Sequence, residues 1–445
     1  MRIPCGTRSL LALSALAAAL AVPTPASSQS RYDHAVDIGI VDSLWSPTLG
    51  EHRPYLVYAP PSYTDTTLSP QRYPVIYLLD GDAHFHSVSG LVQILGTGVN
   101  GTFVLPEMIV VAIPNTDRIR DLTPTHDTTG FDGSPTPGFR SSGGNPQFFR
   151  FLREELIPQI EEDYRAAGYR LLIGHSFGGI TVINALYSIP ESFSSYVAID
   201  PSLWWDDEVL LRRARDYFSS GDLGGKSLYV SQANTIQADD TVPNRHFSAI
   251  SRFNEVVKAY DRTGIRYGFR YYADDDHGSA PLISEYDALR FAFDGYRVPL
   301  QRVMEEPSFL PEHFESVSNR LGHAFGPSEG MLRLLGQFTL QSDTTAAQAF
   351  AEMRVEQFPT SYTAHEFLGD VLAAQGDTAG ARGHFQRALE LKPGEPALLE
   401  KLEANKPAGD DSTQRERSAS RSRGRVYISS SPSGPIGHSS RGRSQ

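Results

Sequence analysis

The stretch Leu171–Ile180 reads LLIGHSFGGI, and it sets a serine among glycines directly after an apolar run. Gly174, His175, Ser176, Phe177 and Gly178 fit G-x-S-x-G, and Gly179 adds a further small residue. In a strand–turn–helix context such spacing holds the serine on a sharp turn, where side chains two positions away would collide. That lifts the hydroxyl clear of the sheet at a helix N-terminus, whose free amides attract developing negative charge. The chemistry this suits is nucleophilic attack by Ser176.

A serine hydroxyl attacks only when a base takes its proton, and neutral histidine suits that role near pH 7. The chain has 13 histidines. The base belongs downstream of the serine, after the last strand-like run. His277 follows RYGFRYYADDD and precedes the loop-like GSAP. His246 falls in a helical pattern, and His313, His323, His365, His384 and His438 lie further along the chain. His277 is therefore the expected base. An orienting acid is expected after the run 227–233, where QANTIQADDTVPNRH offers Asp240 and, as its alternative, Asp239. Asp274, Asp275 and Asp276 adjoin the histidine too closely to fold back onto its ring and read as a solvated acidic face. A Ser–His dyad without an acid is the other arrangement open at this point. For the oxyanion, the Phe177 N–H and the Asp82 N–H are expected. Asp82 sits in LLDGDAHFH (78–86), where Gly81 lets the backbone turn inward. Asp80, Asp82, His84 and His86 in that stretch look like metal ligands, but a loop whose backbone supplies the donors explains them without a metal, and no cofactor is expected.

The elements around these residues follow from periodicity. YPVIYLLD (73–80), MIVVAIP (108–114), RLLIG (170–174), YVAID (196–200) and SLYVSQAN (227–234) are continuous apolar runs, as strands buried on both faces require. Between them lie helical patterns; Phe148, Leu152, Leu156 and Ile160 recur every four residues. The alternation predicts an α/β fold with a mostly parallel sheet covered on both sides. Residues 121–146 are long and rich in Gly, Pro and Thr, the mark of a functional lid or a disordered loop.

The chain of 445 residues is 40% hydrophobic and 21% charged, with a net charge of −12. Its two ends are basic, so the body between them is more acidic than the average. That argues against nucleic acid as the main partner, since phosphates need cationic neutralisation. Arg2 and Arg8 precede LLALSALAAALAV, and small residues follow near Ala26–Ser28. This reads as a signal peptide over 1–28 and implies a periplasmic or secreted protein. Cys5, the single cysteine, lies inside it, so a mature chain would lack thiols, disulfides and Cys nucleophiles. No later run is long and apolar enough to span a membrane. The catalytic domain is expected over 31–300. Over 301–403 a helical region follows: Leu368, Gly369, Ala381, Phe385, Ala388 and Pro393 keep tetratricopeptide-like spacings, and Leu335, Gly336, Phe350 and Pro359 form a looser copy. Two such repeats are too few to stand alone and should pack on the catalytic domain. The Ser/Arg-rich segment 404–445 cannot bury enough apolar surface to offset chain entropy and is expected to be disordered.

YLLDGDAHF, VVAIPNTDRIRDLTPT, LLIGHSFGG, PSLWWD and DDDHGSAPLISEYDALRFAFDGY occur in that order. Together, over about residues 40–297, they resemble the esterase branch of the α/β-hydrolases, which includes S-formylglutathione hydrolase, feruloyl esterases and siderophore (enterobactin-type) esterases. The resemblance implies an α/β-hydrolase fold with Ser176 as nucleophile and His277 as base, acting on a small-molecule carboxylic ester through an acyl-enzyme. It places Trp204 and Trp205 beside the substrate pocket, or else in the core. Arg118 and Arg120 would meet an anionic substrate or pair with nearby acids. One departure stands out: the branch often carries a carboxylate just after the seventh strand, where this chain reads Gln232-Ala233-Asn234. Acyl transfer from the same site to an acceptor other than water, or partner binding through the tetratricopeptide-like helices, are the rival functions.

Overall fold

The computed structural model describes residues 37–97, 103–220, 222–236, 244–260 and 264–406. The expected signal segment and nearly all of the expected basic tail lie outside these residues. Eight strands form one sheet: β1 (Ile40–Ser46), β2 (Glu51–Tyr58), β3 (Tyr73–Leu79), β4 (Ile109–Ile113), β5 (Ala166–His175), β6 (Ser195–Ile199), β7 (Ser227–Ala233) and β8 (Arg266–Tyr272). Their spatial order is β1-β2-β4-β3-β5-β6-β7-β8. β1 and β2, and β2 and β4, pair antiparallel; every other neighbouring pair is parallel.

The period of two along a strand divides each central strand between two cores. In β3, Tyr73, Val75, Tyr77 and Leu79 enter one hydrophobic cluster, while Ile76 and Leu78 enter the other. The first cluster includes Phe148, Leu152, Leu156 and Ile160. Their helix runs from Asn145 to Asp163 with a π-turn at Leu152–Leu156. Pro158 follows that turn; it has no N–H to give an ordinary helical bond, and a π-turn absorbs the interruption.

The helices that position the site are α1 (Gly81–Gly96) after β3, α2 (Phe177–Ser188) after β5, α3 (Arg245–Ala259) after β7 and α4 (Ala280–Ala292) after β8. Beyond residue 300 come α5 (Phe309–Leu321), α6 (Glu329–Thr339), α7 (Thr344–Gln357), α8 (Tyr362–Ala374), α9 (Thr378–Leu391) and α10 (Pro396–Ala404). These helices share the second core of the sheet: Leu310, Phe314, Val317, Met331, Leu335 and Phe350 join the cluster that holds Ile76 and Leu78. Glycines set the helix crossings. A Cβ on Gly336 would stand 2.6 Å from the Phe367 ring, and one on Gly369 would stand 2.5 Å from Phe385.

A buried ion pair fastens this region to the sheet side. Glu329 and Arg354 are each 1% exposed. Arg354 Nη2 donates to Glu329 Oε1 at 2.7 Å, and the Ser69 amide donates to Glu329 Oε2 at 2.6 Å. Thr363 Oγ1 donates to the Thr67 carbonyl at 2.6 Å. Removing one partner strands a buried charge, whereas replacing both with apolar residues does not. Glu329→Ala should therefore cost about 3–5 kcal/mol of unfolding free energy in denaturant titration, and the Glu329→Leu/Arg354→Met pair should lose clearly less.

Candidate active site

β5 ends in a turn that the sequence makes possible only with glycine. Ser176 takes φ 60° and ψ −113°, which non-glycine residues rarely adopt. A Cβ on Gly174 would stand 2.4 Å from the Gly178 carbonyl oxygen, and one on Gly179 would stand 2.9 Å from Pro201 Cα. The turn is pinned to the next strand: the Ser176 amide donates to the Ile199 carbonyl at 3.0 Å, and the Ser176 carbonyl accepts from Ser202 N at 3.1 Å. The hydroxyl is then aimed. Ser176 Oγ lies 3.1 Å from His277 Nε2 and 3.2 Å from Ser202 Oγ.

His277 sits on the turn between β8 and α4. Asp276 builds that turn by accepting from the Gly278 and Ser279 amides, each at 2.9 Å. Asp275 contributes a backbone carbonyl that accepts from Asn234 N at 2.8 Å. The acidic run before the histidine thus shapes its loop.

The carboxylate on His277 is Asp200, at the end of β6. Its Oδ2 lies 2.5 Å from His277 Nδ1 and 3.0 Å from His246 Nε2, and its Oδ1 accepts from Ala233 N at 2.8 Å. Asp200 is fully buried. Burial alone would raise its pKa. The hydrogen bonds from His246, His277 and the Ala233 amide outweigh that and hold the carboxyl well below the usual carboxylate range. The expected acid, Asp240, and its alternative Asp239 lie outside the described residues. Among the described residues the carboxylate against His277 follows β6, and residues 232–234, at the end of β7, make other contacts. Gln232 Nε2 donates to the Phe247 carbonyl at 2.9 Å, Ala233 holds Asp200, and Asn234 Nδ2 donates to the Ala273 carbonyl at 2.9 Å.

Sequence reasoning missed Asp200 and His246. Asp200 was visible as the polar residue closing the apolar run YVAID, just as His175-Ser176 closes the run before it. His246 lies in a helix as its pattern suggests, but on the first turn of α3, within reach of Asp200. His175, between Gly174 and the serine, packs against the His277 ring in a tilted arrangement, 4.5 Å between centroids. Its pKa falls to about 3, first through burial and then through the neighbouring His277 charge, so it stays a neutral packing surface.

Phe177 begins α2, and Asp82 lies in the first turn of α1. Amides in a helix's first turn have no intrahelical acceptor. Both helices leave the same edge of the sheet from adjacent strands, with Leu78 opposite Ile173. The Asp82 side chain accepts from Asn115 Nδ2 at 3.4 Å. Asp80 takes Arg118 instead, at 2.6 and 2.9 Å, and His84 Nδ1 faces the buried Glu285 at 2.8 Å. Arg120 pairs with Glu51 and Asp121 at 2.6 and 2.7 Å. Among the described residues, the set whose donor atoms could share a cation is Asp200, His246 and His277, within 4.8 Å of one another; there both imidazoles already face the Asp200 carboxylate.

Trp204 and Trp205 have different tasks. Trp205 is buried and donates from Nε1 to the Thr125 carbonyl at 3.2 Å, which ties down the 121–146 loop. Trp204 stands between Phe177, at 6.0 Å, and the exposed Phe131 of that loop, at 5.8 Å. Phe139 from the same loop packs edge-on to Phe177 at 5.8 Å, and the Arg118 guanidinium lies 5.3 Å over the Phe177 ring.

A strand-ending serine on a strained turn, a parallel sheet and a histidine after the last strand define an α/β-hydrolase. Residues 46–252 match the family described as "Putative esterase". The chain is 31% identical over 254 residues to the ferri-bacillibactin esterase BesA of Bacillus subtilis, covering 54% of this chain and 86% of that protein. It is 29% identical over 239 residues to the siderophore enterobactin esterase of Emericella nidulans, covering 46% and 77%. The crystal structure of an IroE-like serine hydrolase from Shewanella oneidensis superposes with a TM-score of 0.64 at 31% identity, covering 72% of this chain and 99% of that one. The chain belongs to this esterase family and is a carboxylic ester hydrolase.

Asp200 carries its charge throughout the weakly acidic and neutral range. A depressed carboxyl contributes stability above its unfolded value, about 3.9, and loses it only as pH falls through its lower folded value. Asp200→Asn should lower kcat by about 10³–10⁴-fold at neutral pH, as read from paired pH–rate profiles.

Proposed function

We propose that Ser176 is the nucleophile, His277 the general base and acid, and Asp200 the residue that orients His277 and stabilises its charged form. The observation that carries this is the unbroken relay of Asp200 Oδ2, His277 Nδ1, His277 Nε2 and Ser176 Oγ at 2.5 and 3.1 Å. Ser176 Oγ attacks the ester carbonyl carbon as its proton passes to His277 Nε2. The tetrahedral oxyanion takes hydrogen bonds from the Phe177 and Asp82 amides at the N-termini of α2 and α1. Collapse expels the alcohol with the proton from His277 and leaves an acyl-enzyme. Water then repeats the sequence, releasing the acid and restoring Ser176.

The substrate class we propose is a siderophore ester bearing aromatic groups. One relative is named a ferri-bacillibactin esterase and another a siderophore enterobactin esterase. Phe131, Phe177 and Trp204 give the mouth of the site an aromatic wall, and aromatic pairs favour edge and offset contacts of this kind. Asp80 holds Arg118, whose guanidinium lies over the Phe177 ring, so the polarity beside Phe177 is that of a paired guanidinium rather than a free cation. The signal-like run over residues 10–22 supports action in the periplasm or outside the cell.

Ser176→Ala should lower turnover of aryl esters by at least about 10³-fold in a spectrophotometric assay; undiminished turnover would remove the reading. Trp204→Ala should raise KM for aromatic-acyl esters several-fold while leaving acetyl esters near wild type, and an equal loss on both would deny Trp204 a substrate contact.

A further inference from the structure

Asp200 must accept more than the catalytic imidazole gives it. A carboxylate removed from water is stable only with its lone pairs engaged. The Ala233 amide serves Oδ1, and His277 Nδ1 approaches Oδ2 from one side. The second imidazole at Oδ2 belongs to His246, at 3.0 Å, with its ring edge-on to the His277 ring at 5.2 Å. His246 is itself buried. It is the second residue of α3, so it reaches Asp200 from the first turn of a 15-residue helix.

The position of His246 is built rather than incidental. Asn244 caps α3 by accepting from the Phe247 amide at 2.9 Å. Gln232 clamps the same turn through the Phe247 carbonyl at 2.9 Å and Ser251 Oγ at 3.0 Å. The C-terminal end of β7 and the residue after it thus hold Asp200 through Ala233, the His277 loop through Asn234 and the His246 turn through Gln232. Nothing in ester cleavage requires a second histidine, since Ser176, His277 and one carboxylate already balance every proton transfer.

We propose that His246 is a positioning residue: by donating from Nε2 it keeps Asp200 ionised and its Oδ2 aimed at His277 Nδ1. That hydrogen bond fixes His277 in the tautomer whose Nε2 lone pair faces the Ser176 hydroxyl. His246 touches neither substrate nor the reacting atoms. A donated N–H is all the geometry asks of it. The inference rests on the assignment of Ser176, His277 and Asp200 above.

Two variants of similar bulk separate donation from packing. Glutamine places an amide N–H near the position of Nε2, and leucine places none. Loss of a hydrogen bond to a buried charge should lower kcat of His246→Leu by about 10–100-fold with KM within about twofold. His246→Gln should recover to within about threefold of wild type. The low-field proton resonance of the short His277–Asp200 hydrogen bond gives a second readout, independent of turnover: it should persist in His246→Gln and be shifted or lost in His246→Leu. Equal kcat in the two variants, or an unchanged resonance in His246→Leu, would overturn the role. If His246→Leu fails to fold by circular dichroism, the comparison passes to His246→Gln against His246→Met, with the same two results deciding. Ser176→Ala, assayed alongside, separates the two layers. An inactive Ser176→Ala beside a fully active His246→Leu refutes only the role of His246, whereas an active Ser176→Ala refutes the underlying assignment.

Discussion

The charge on Asp200 is the constraint around which the site is arranged. It sits fully buried at the end of β6, where the desolvation penalty for an ion is several kcal/mol. Three donors from three separate parts of the chain meet that penalty: an amide at the end of β7, an imidazole after β8 and an imidazole at the start of α3. Each donor is itself anchored, and much of that anchoring comes from residues 232–234. The electrostatics of one carboxylate thereby dictate how the loops at the carboxyl edge of the sheet fold.

The turn at Ser176 is a second, steric constraint on the same edge. The strain of Ser176 persists because its amide and carbonyl are tied to Ile199 and Ser202, on either side of Asp200 in sequence. The turn that aims the hydroxyl and the strand end that carries the acid therefore brace each other. The distance from Ser176 to His277 is set by that mutual bracing as much as by either residue. Above the edge, the 121–146 loop is held by Trp205 and supplies Phe131 and Phe139, so a segment that reads as irregular is ordered by aromatic packing.

What was legible in the sequence was what neighbouring residues decide. Collision between Gly174 and Gly178 is a matter of four positions, and so the serine's turn can be read from spacing. The apolar runs gave the sheet because burial on both faces leaves its mark on every residue of a strand. His277 could be placed because it follows the last of those runs. The acid could not, because its identity depends on which strand end the His277 loop reaches, 77 positions away. The same holds for Arg118 and Arg120, whose partners Asp80 and Glu51 lie 38 and 69 residues upstream. The helical region after residue 300 showed its internal crossings through Gly336 and Gly369. Its attachment to the sheet did not show, because Glu329 and Arg354 look like ordinary surface charges until the fold buries them.

The most direct test of this account is where an electrophile lands. Treatment of the folded protein with a fluorophosphonate probe, followed by digestion and mass spectrometry, should give one adduct, on the peptide that contains Ser176. The labelling rate should fall steeply in His277→Ala, which lacks the imidazole that takes the Ser176 proton. An adduct on another serine, or equally fast labelling of Ser176 in His277→Ala, would contradict the account.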